Sequence, residues 1–205
     1  MLNRLLIILT IILNNFFLNY AYSDDQINFD VSQIEVLEDG NKIIGKKRGT
    51  ITTNDGVIIS ADEFEYDKIK NVLKAKGKII VNDEVNNYII NAENILYLRD
   101  QERIQIKGKS SSLIFSNYNF KSEDIIIFRD KLILESNKPT TIIDKKNQTL
   151  YEINKFTYFI KDEILKGDKI FINIKFNQPF SDKYFFKNGI FNLKDQSYIA
   201  KDIDI

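Results

Sequence analysis

Hydrophobic and polar residues alternate along most of this chain with a period of two, the pattern of a half-buried β-strand. The alternation comes in copies. Ile59-Ser-Ala-Asp-Glu-Phe-Glu-Tyr-Asp67, Ile90-Asn-Ala-Glu-Asn-Ile-Leu-Tyr-Leu98, Phe120-Lys-Ser-Glu-Asp-Ile-Ile-Ile-Phe128 and Tyr151-Glu-Ile-Asn-Lys-Phe-Thr-Tyr-Phe159 align with one another. Weaker copies run from Phe29 to Leu37 and from Phe186 to Lys194. The anchor positions Val31, Ala61, Ala92, Ser122, Ile153 and Asn188 are 30, 31, 30, 31 and 35 residues apart. A fixed period of this size marks a repeat architecture in which each copy is one supersecondary unit.

Within each copy the phase slips once. Ile59 and Ala61 share a face, and then Phe64 and Tyr66 take it over; the same step of three recurs at Ala92 to Ile95, Ser122 to Ile125 and Ile153 to Phe156. Skipping one residue at a constant place is what a β-bulge or sharp corner leaves in a sequence. The spacing therefore predicts strands that bend from one wall of the structure to another. The bends carry polar, often acidic pairs: Asp62-Glu63, Glu93-Asn94, Glu123-Asp124 and Asn154-Lys155. These read as solvated corners and not as catalytic carboxylates. After each bend a charged turn leads to a second strand, as Asp67-Lys-Ile-Lys-Asn71 leads to Leu73, Ala75, Ile79 and Val81. Hairpins of about 30 residues, stacked in series, make an all-β, elongated antiparallel structure. After residue 23 no apolar stripe of helical period is long enough for a helix, and the glycines fall at expected turns and strand edges.

Composition narrows the chemistry. Among 205 residues there is no histidine and no cysteine. Histidine-based acid–base catalysis, Ser-His-Asp and Cys-His nucleophiles, His/Cys zinc sites and disulfides are all excluded. Lys plus Arg and Asp plus Glu both number 29, with no block of like charge, which argues against a nucleic-acid partner. The expectation is a non-enzyme with neither metal nor cofactor.

The N-terminus reads as an address. Arg4 precedes an apolar run from Leu5 to Leu13, and Ala21-Tyr22-Ser23 offers a small-x-small cleavage site. Residues 1–23 are expected to be a cleaved signal peptide and 24–205 the exported domain, periplasmic in a bacterium.

Other motifs are weak. Gly40-Asn-Lys-Ile-Ile-Gly-Lys-Lys47 comes close to a phosphate-binding loop, but Lys47 stands where the hydroxyl belongs and no helix follows; it reads as a hairpin turn with exposed lysine. Asn147-Gln-Thr149 reads as a turn, and Asp202 and Asp204 as the polar face of a strand. Lys46, Lys47 and Arg48, expected near one turn, are a candidate site for an anionic headgroup. The main candidate is the inward face itself: Ile59, Ala61, Phe64, Tyr66, Leu73, Ala75, Ile79, Val81, Ile90, Ala92, Ile95, Tyr97, Ile104 and Ile106. In a closed sandwich these residues are core; if the walls splay, they line a groove for acyl chains at about 0.8 kcal/mol per buried methylene.

The stretch Gly56-Val-Ile-Ile-Ser-Ala-Asp-Glu-Phe-Glu-Tyr-Asp67, followed by Asn71-Val-Leu-Lys-Ala-Lys-Gly-Lys-Ile-Ile-Val81 and Ile90-Asn-Ala-Glu-Asn-Ile-Leu-Tyr97, resembles the OstA-like periplasmic domain of the lipopolysaccharide-transport family. The best-matching part is 29–174, and later copies such as Leu132-Ile-Leu-Glu-Ser136 lose the Ala-x-Gly element. The resemblance implies a twisted β-jellyroll, open along one side, that shields lipid A acyl chains while lipopolysaccharide crosses the periplasm. It implies association with the outer membrane and edge-strand addition between like β-jellyroll proteins. It brings no enzyme activity, metal or cofactor, and it makes the inward residues candidate acyl-chain contacts. The alternation runs to the last residues, Ile203-Asp-Ile205, so a fragment of an outer-membrane assembly protein's N-terminal region is expected ahead of a stand-alone bridge protein. Two rivals stand beside this reading. One is a structural β-repeat or adhesin-like protein with a dry core. The other is a right-handed β-helix enzyme acting on polysaccharide, which requires short parallel coils and clustered Asp.

Overall fold

The computed structural model describes residues 27–108 and 111–204. The expected signal peptide lies outside the described residues. Five long strands come first: β1 (Asn28–Leu37), β2 (Lys42–Thr52), β3 (Val57–Asp67), β4 (Val72–Asp83) and β5 (Tyr88–Leu98). Three further passes are each split in two: β6 (Arg103–Lys107) with β7 (Ser112–Phe115), β8 (Tyr118–Ser122) with β9 (Asp124–Phe128), and β10 (Ile133–Ser136) with β11 (Thr140–Asp144). Long strands resume with β12 (Thr149–Phe159), β13 (Ile164–Ile174), β14 (Asp182–Asn192) and β15 (Ser197–Asp204).

Each pass pairs antiparallel with the next, so the described strands form one continuous meander. The split passes show how it folds. One half of β5 pairs with β6 through Asn94 to Leu98, and the other half pairs with β7 through Tyr88 to Asn91. Likewise β12 pairs with β10 at one end and with β11 at the other. Every pass therefore contributes one half to each of two walls, and the walls meet along a spine of bends. The result is a twisted antiparallel β-jellyroll built from hairpins of about 30 residues.

The bends stand where the phase slip predicts them. Pairing of β3 with β4 breaks between Ser60 and Glu63, and pairing of β4 with β5 between Lys76 and Ile79. Glu123 separates β8 from β9, and β12 passes from Ile153 to Lys155 across its own break. In β3, β5 and β12 the skipped residue keeps apolar side chains inward on both walls, whereas β4 crosses its break in phase, with Leu73, Ala75, Ile79 and Val81 all buried. One row runs Tyr66, Leu73, Tyr97, Ile104, Ile127, Leu134, Tyr158, Leu165 and Phe191, each the register partner of the next. The other wall supplies Ile51, Ile59, Val81, Ile90, Leu113, Phe120, Ile142, Tyr151 and Ile172 in the same manner. All of these side chains are buried. The rows meet across the interior, where the Phe120 ring lies 5.7 Å from Phe156 and 5.1 Å from Tyr158.

The turns are as regular as the strands. Asn71, Glu102, Leu132, Glu163 and Gln196 all take left-handed backbone with φ between 46° and 56°. Carbonyls of four of them accept from the next turn: Asn71 from the Arg99 amide, Glu102 from Arg129, Leu132 from Ile160 and Glu163 from Leu193, at 2.8–3.1 Å. Two expectations need correction here. Gly45 to Lys47 do not form a hairpin turn; they lie inside β2, where the chain bends, and the turn is the short 3₁₀ segment Glu38–Gly40. Gly167 and Gly189 are not at strand edges but face each other as register partners within β13 and β14.

The bend acids have a structural partner. A Cβ on Gly77 would come within 2.6 Å of Asp62 Oδ2 and 3.0 Å of Asp62 Cβ, and Gly77 has φ +79°. Gly108, at φ +129°, stands in the same relation to Glu93. Asp62 is itself held by Arg48, whose Nη1 donates to Asp62 Oδ1 at 3.2 Å and to the Lys78 carbonyl at 3.1 Å. Asp62 and Glu93 thus each lie over the glycine of the following bend, and the glycine supplies both room and a left-handed turn. Gly77→Ala should lower stability by more than about 1 kcal/mol, the sum of backbone strain and overlap. In a denaturation cycle, Asp62→Ala should recover the overlap part in the Gly77→Ala background while the strain remains; strict additivity of the two changes would remove the contact from the explanation.

Candidate functional site

The fourteen inward candidates, Ile59, Ala61, Phe64, Tyr66, Leu73, Ala75, Ile79, Val81, Ile90, Ala92, Ile95, Tyr97, Ile104 and Ile106, all lie between the walls, with exposures of 0–8%. Period-two alternation on each side of the bend puts them there. The walls are closed on one another at these residues, so in this state they are packed core. A cavity of about 580 Å³ is lined by Phe64, Ala75 and Ile95 of this set together with their outward-facing neighbours, among them Ile44, Glu65, Lys74 and Leu96.

Lys46, Lys47 and Arg48 sit on the spine, in the bend of β2, on the far side from the mouth between the walls. Two of them are committed to neighbours: Lys46 Nζ lies 2.6 Å from Glu35, and Arg48 pairs with Asp62. Lys47 is exposed, with φ 67°. Lys46 and Arg48 thus brace β2 against its two neighbouring strands.

The mouth holds groups that sequence reading passed over. Arg99 and Arg129 each follow a strand on one wall and turn inward, and both are buried. Arg129 Nε donates to Asp83 Oδ2 at 2.9 Å, and its Nη1 donates to Glu102 Oε2 at 2.5 Å and to Asp55. The same nitrogen is 2.6 Å from the Tyr97 hydroxyl, which in turn donates to Asp55 Oδ2 at 3.0 Å. Arg99 Nη2 donates to Asn54 Oδ1 at 3.0 Å, and its Nη1 to Asn71 Oδ1 at 3.0 Å. Asn54, Asp55 and Asp83 come from the turn and strand end of one wall, and Tyr97, Arg99, Glu102 and Arg129 from the other. The cluster therefore spans the mouth. In sequence the two arginines look like ordinary members of charged turns; the one available signal was their equivalent position, 30 residues apart.

Electrostatics keep this cluster ionised. Burial works against charge on Asp83, but hydrogen bonds from the Asn86 side chain and backbone, with that of Arg129, outweigh it and hold the carboxyl below the usual range. Asp55 is lowered in the same way, with Thr53, Arg129 and Tyr97 overcoming its burial. Burial opposes the charge of Arg129, and its neighbours Tyr97 and Asp83 more than offset this. Burial first, and neighbouring carboxylates second, push the phenols of Tyr88, Tyr118 and Tyr151 well above their ordinary value; Tyr158 is raised by burial and then by the Tyr118 phenol, and Tyr97 chiefly by burial as well. No group of three or more metal-ligating side chains occurs among the described residues, and no helix among them is long and apolar enough to cross a membrane.

No family model matches this sequence, and no curated protein is significantly similar to it. Among solved structures the chain is similar to LptH from Pseudomonas aeruginosa, the LptA-homologous periplasmic component of the conserved lipopolysaccharide transport device. The match has a TM-score of 0.51 at 13% identity and covers 63% of this chain and 94% of that one. The likeness establishes the β-jellyroll fold.

A pH prediction follows from the two aspartates. Their folded-state pKa values lie below the unfolded value of about 3.9, so the stability they contribute is complete above that value and is lost as pH falls through the folded values. Thermal melts should show stability declining from about pH 5 downward. Asp83→Asn should lower stability at neutral pH by about 1–3 kcal/mol, because it takes the carboxylate from Nε of a buried guanidinium that keeps Asp55 and Glu102 on Nη1, and should flatten part of the acid decline. An acid profile unchanged by Asp83→Asn would show that this pair contributes nothing to it. At high pH, ultraviolet titration should find the five raised tyrosines ionising only as the protein unfolds.

Proposed function

We propose that this chain is a periplasmic carrier in lipopolysaccharide transport, holding lipid A acyl chains between its two walls. The supporting observation is the pair of unbroken apolar rows, one on each wall of a jellyroll whose fold is that of a lipopolysaccharide-transport component. Away from the spine, side-chain packing, the polar cluster at the mouth and a hydrogen bond from the Tyr118 hydroxyl to Glu163 at 3.4 Å hold the walls together among the described residues. Hydrocarbon chains could replace wall-to-wall contacts at little loss, since both are apolar, and each methylene taken from water contributes about 0.8 kcal/mol. On this reading residues 1–23 export the domain, 24–205 is the carrier, and the inward residues Ile59 to Ile106 named above touch lipid. No chemistry on the lipid is involved.

The sheet edges supply the means of assembly. Among the described strands β1 pairs only with β2, and β15 only with β14. Ile34, Val36 and Leu37 on the first edge and Tyr198 and Ile199 on the last are exposed. Long apolar edges are templates for strand addition, and joining β15 of one jellyroll to β1 of the next would extend both walls. The domain would thereby meet other transport jellyrolls and, through them, the outer membrane.

The closed packing of the fourteen inward residues favours one rival, a structural β-repeat with a dry core. Photo-crosslinking in cells separates the two, with the probe at Phe64, Tyr97 or Ile106. Glu65, on the outer face between Lys42 and Lys74, serves as control. Lipopolysaccharide adducts at the inward sites and none at Glu65 are expected. A folded, exported protein that gives no inward adduct would leave the structural rival standing. For the edges, Val36→Lys or Ile199→Lys should weaken self-association at least several-fold in sedimentation experiments without lowering monomer stability; unchanged association would place the contact elsewhere.

A further inference from the structure

The position filled by Arg99 and Arg129 recurs along the mouth, and what fills it changes. The next two equivalents are Ile160 and Leu193, both buried. The mouth is thus closed by guanidinium groups in the middle of the jellyroll and by aliphatic side chains farther along. Around the two arginines the polar partners are three carboxylates (Asp55, Asp83 and Glu102), two asparagines (Asn54 and Asn71) and the hydroxyls of Tyr66 and Tyr97. With three acids on two cations, this cluster already carries more negative than positive charge. It therefore does not fit an anionic headgroup, whose phosphates would be repelled and would have to displace ideally placed acceptors. What it does fit is mechanical. The partners belong to opposite walls, and the walls are joined behind them by bends in which strand pairing is interrupted.

We propose that Arg99 and Arg129 form a clasp that holds the mouth shut, and that its release is the step by which hydrocarbon chains enter sideways between the walls. This inference rests on the carrier reading above and adds to it the place and control of entry. Arg129 is the principal member, since it alone binds Asp83, Asp55 and Glu102 together. Opening moves these partners apart about the spine, where Gly77 and Gly108 give the bends their left-handed backbone.

The absence of cysteine permits a direct test. Asp55 and Glu102 meet on one nitrogen of Arg129, so Asp55→Cys with Glu102→Cys places two thiols across the mouth while leaving the Arg129–Asp83 pair intact. A short bismaleimide then locks the clasp, and the same variant capped with a monofunctional maleimide leaves it free. Uptake of a fluorescent long-chain fatty acid should be at least tenfold slower in the locked protein than in the capped one. Equal rates would overturn lateral entry at this point. A second variant, Arg129→Leu with Asp83→Leu, removes the buried ions together and should take up the probe several-fold faster than the parent. If no form takes up the probe, the carrier reading fails, and hydrogen exchange still decides the clasp. In the leucine variant, the amides of residues 53–57 and 99–102 should exchange at least tenfold faster than in the parent, with those at the bends unchanged. Equal protection of the two turns in both proteins would refute it.

Discussion

A β-strand presents successive side chains to opposite faces, so a strand that folds across the edge of a two-walled structure turns its apolar side outward unless a residue is skipped at the fold. That constraint governs the rest of this molecule. It explains the slip of phase in every copy and the breaks in pairing at Ser60/Glu63 and Lys76/Ile79. It also explains the seating of acids over glycines at Asp62/Gly77 and Glu93/Gly108. The bends of successive strands stack into a spine, some with a skipped residue, as in β3 from Ala61 to Phe64, and some in phase, as in β4 from Ala75 to Ile79, and both apolar rows stay in register for the length of the sheet. In β3, without the skip only one wall would bury its hydrophobic residues.

The parts legible in the sequence are those that depend on period and repetition. Ile59, Ala61, Phe64 and Tyr66 declare strand, bend and inward face together, and the recurrence of that pattern declares the meander. What the pattern hides is whatever depends on two distant turns meeting. Asp55 and Arg129 are 74 residues apart, and each alone is a polar residue in a turn. Their burial arises because the walls fold toward one another, which no local window contains. Lys46, Lys47 and Arg48 are adjacent in sequence, but pairing of β2 with β3 is interrupted between Lys46 and Gly49. Across that break Lys46 pairs with Glu35 on one neighbouring strand and Arg48 with Asp62 on the other. The left-handed residues Leu132 and Glu163 were equally hidden, since neither type advertises that backbone as glycine does.

Along the chain the design changes character. Early bends use glycine under an acid; between β10 and β11 the bend is an interruption containing Pro139. Early turns place arginine over the mouth and later ones place Ile160 and Leu193. A buried ion pair is a poor source of net stability compared with well-packed hydrocarbon, but its loss on one side is severe. The middle of the mouth is therefore held by contacts that are directional and dependent on both partners, whereas its farther part is held by contacts that slide. The same backbone frame accommodates either because the turns hydrogen-bond to one another independently of the side chains they carry.

The meander has a consequence for how length can vary. Each pass bonds its backbone only to its immediate neighbours, and its two halves are joined within the pass itself, so strand pairing nowhere relies on residues far along the chain. Such a molecule behaves as a one-dimensional array, in which each hairpin adds its own stability plus an interface term. A hairpin unit could be inserted or removed beyond β13, clear of the contacts of Arg99 and Arg129, with the cross-section left as it is. Width and length are then separate properties: the skipped residue at the bend sets the bore, and the number of units sets the span.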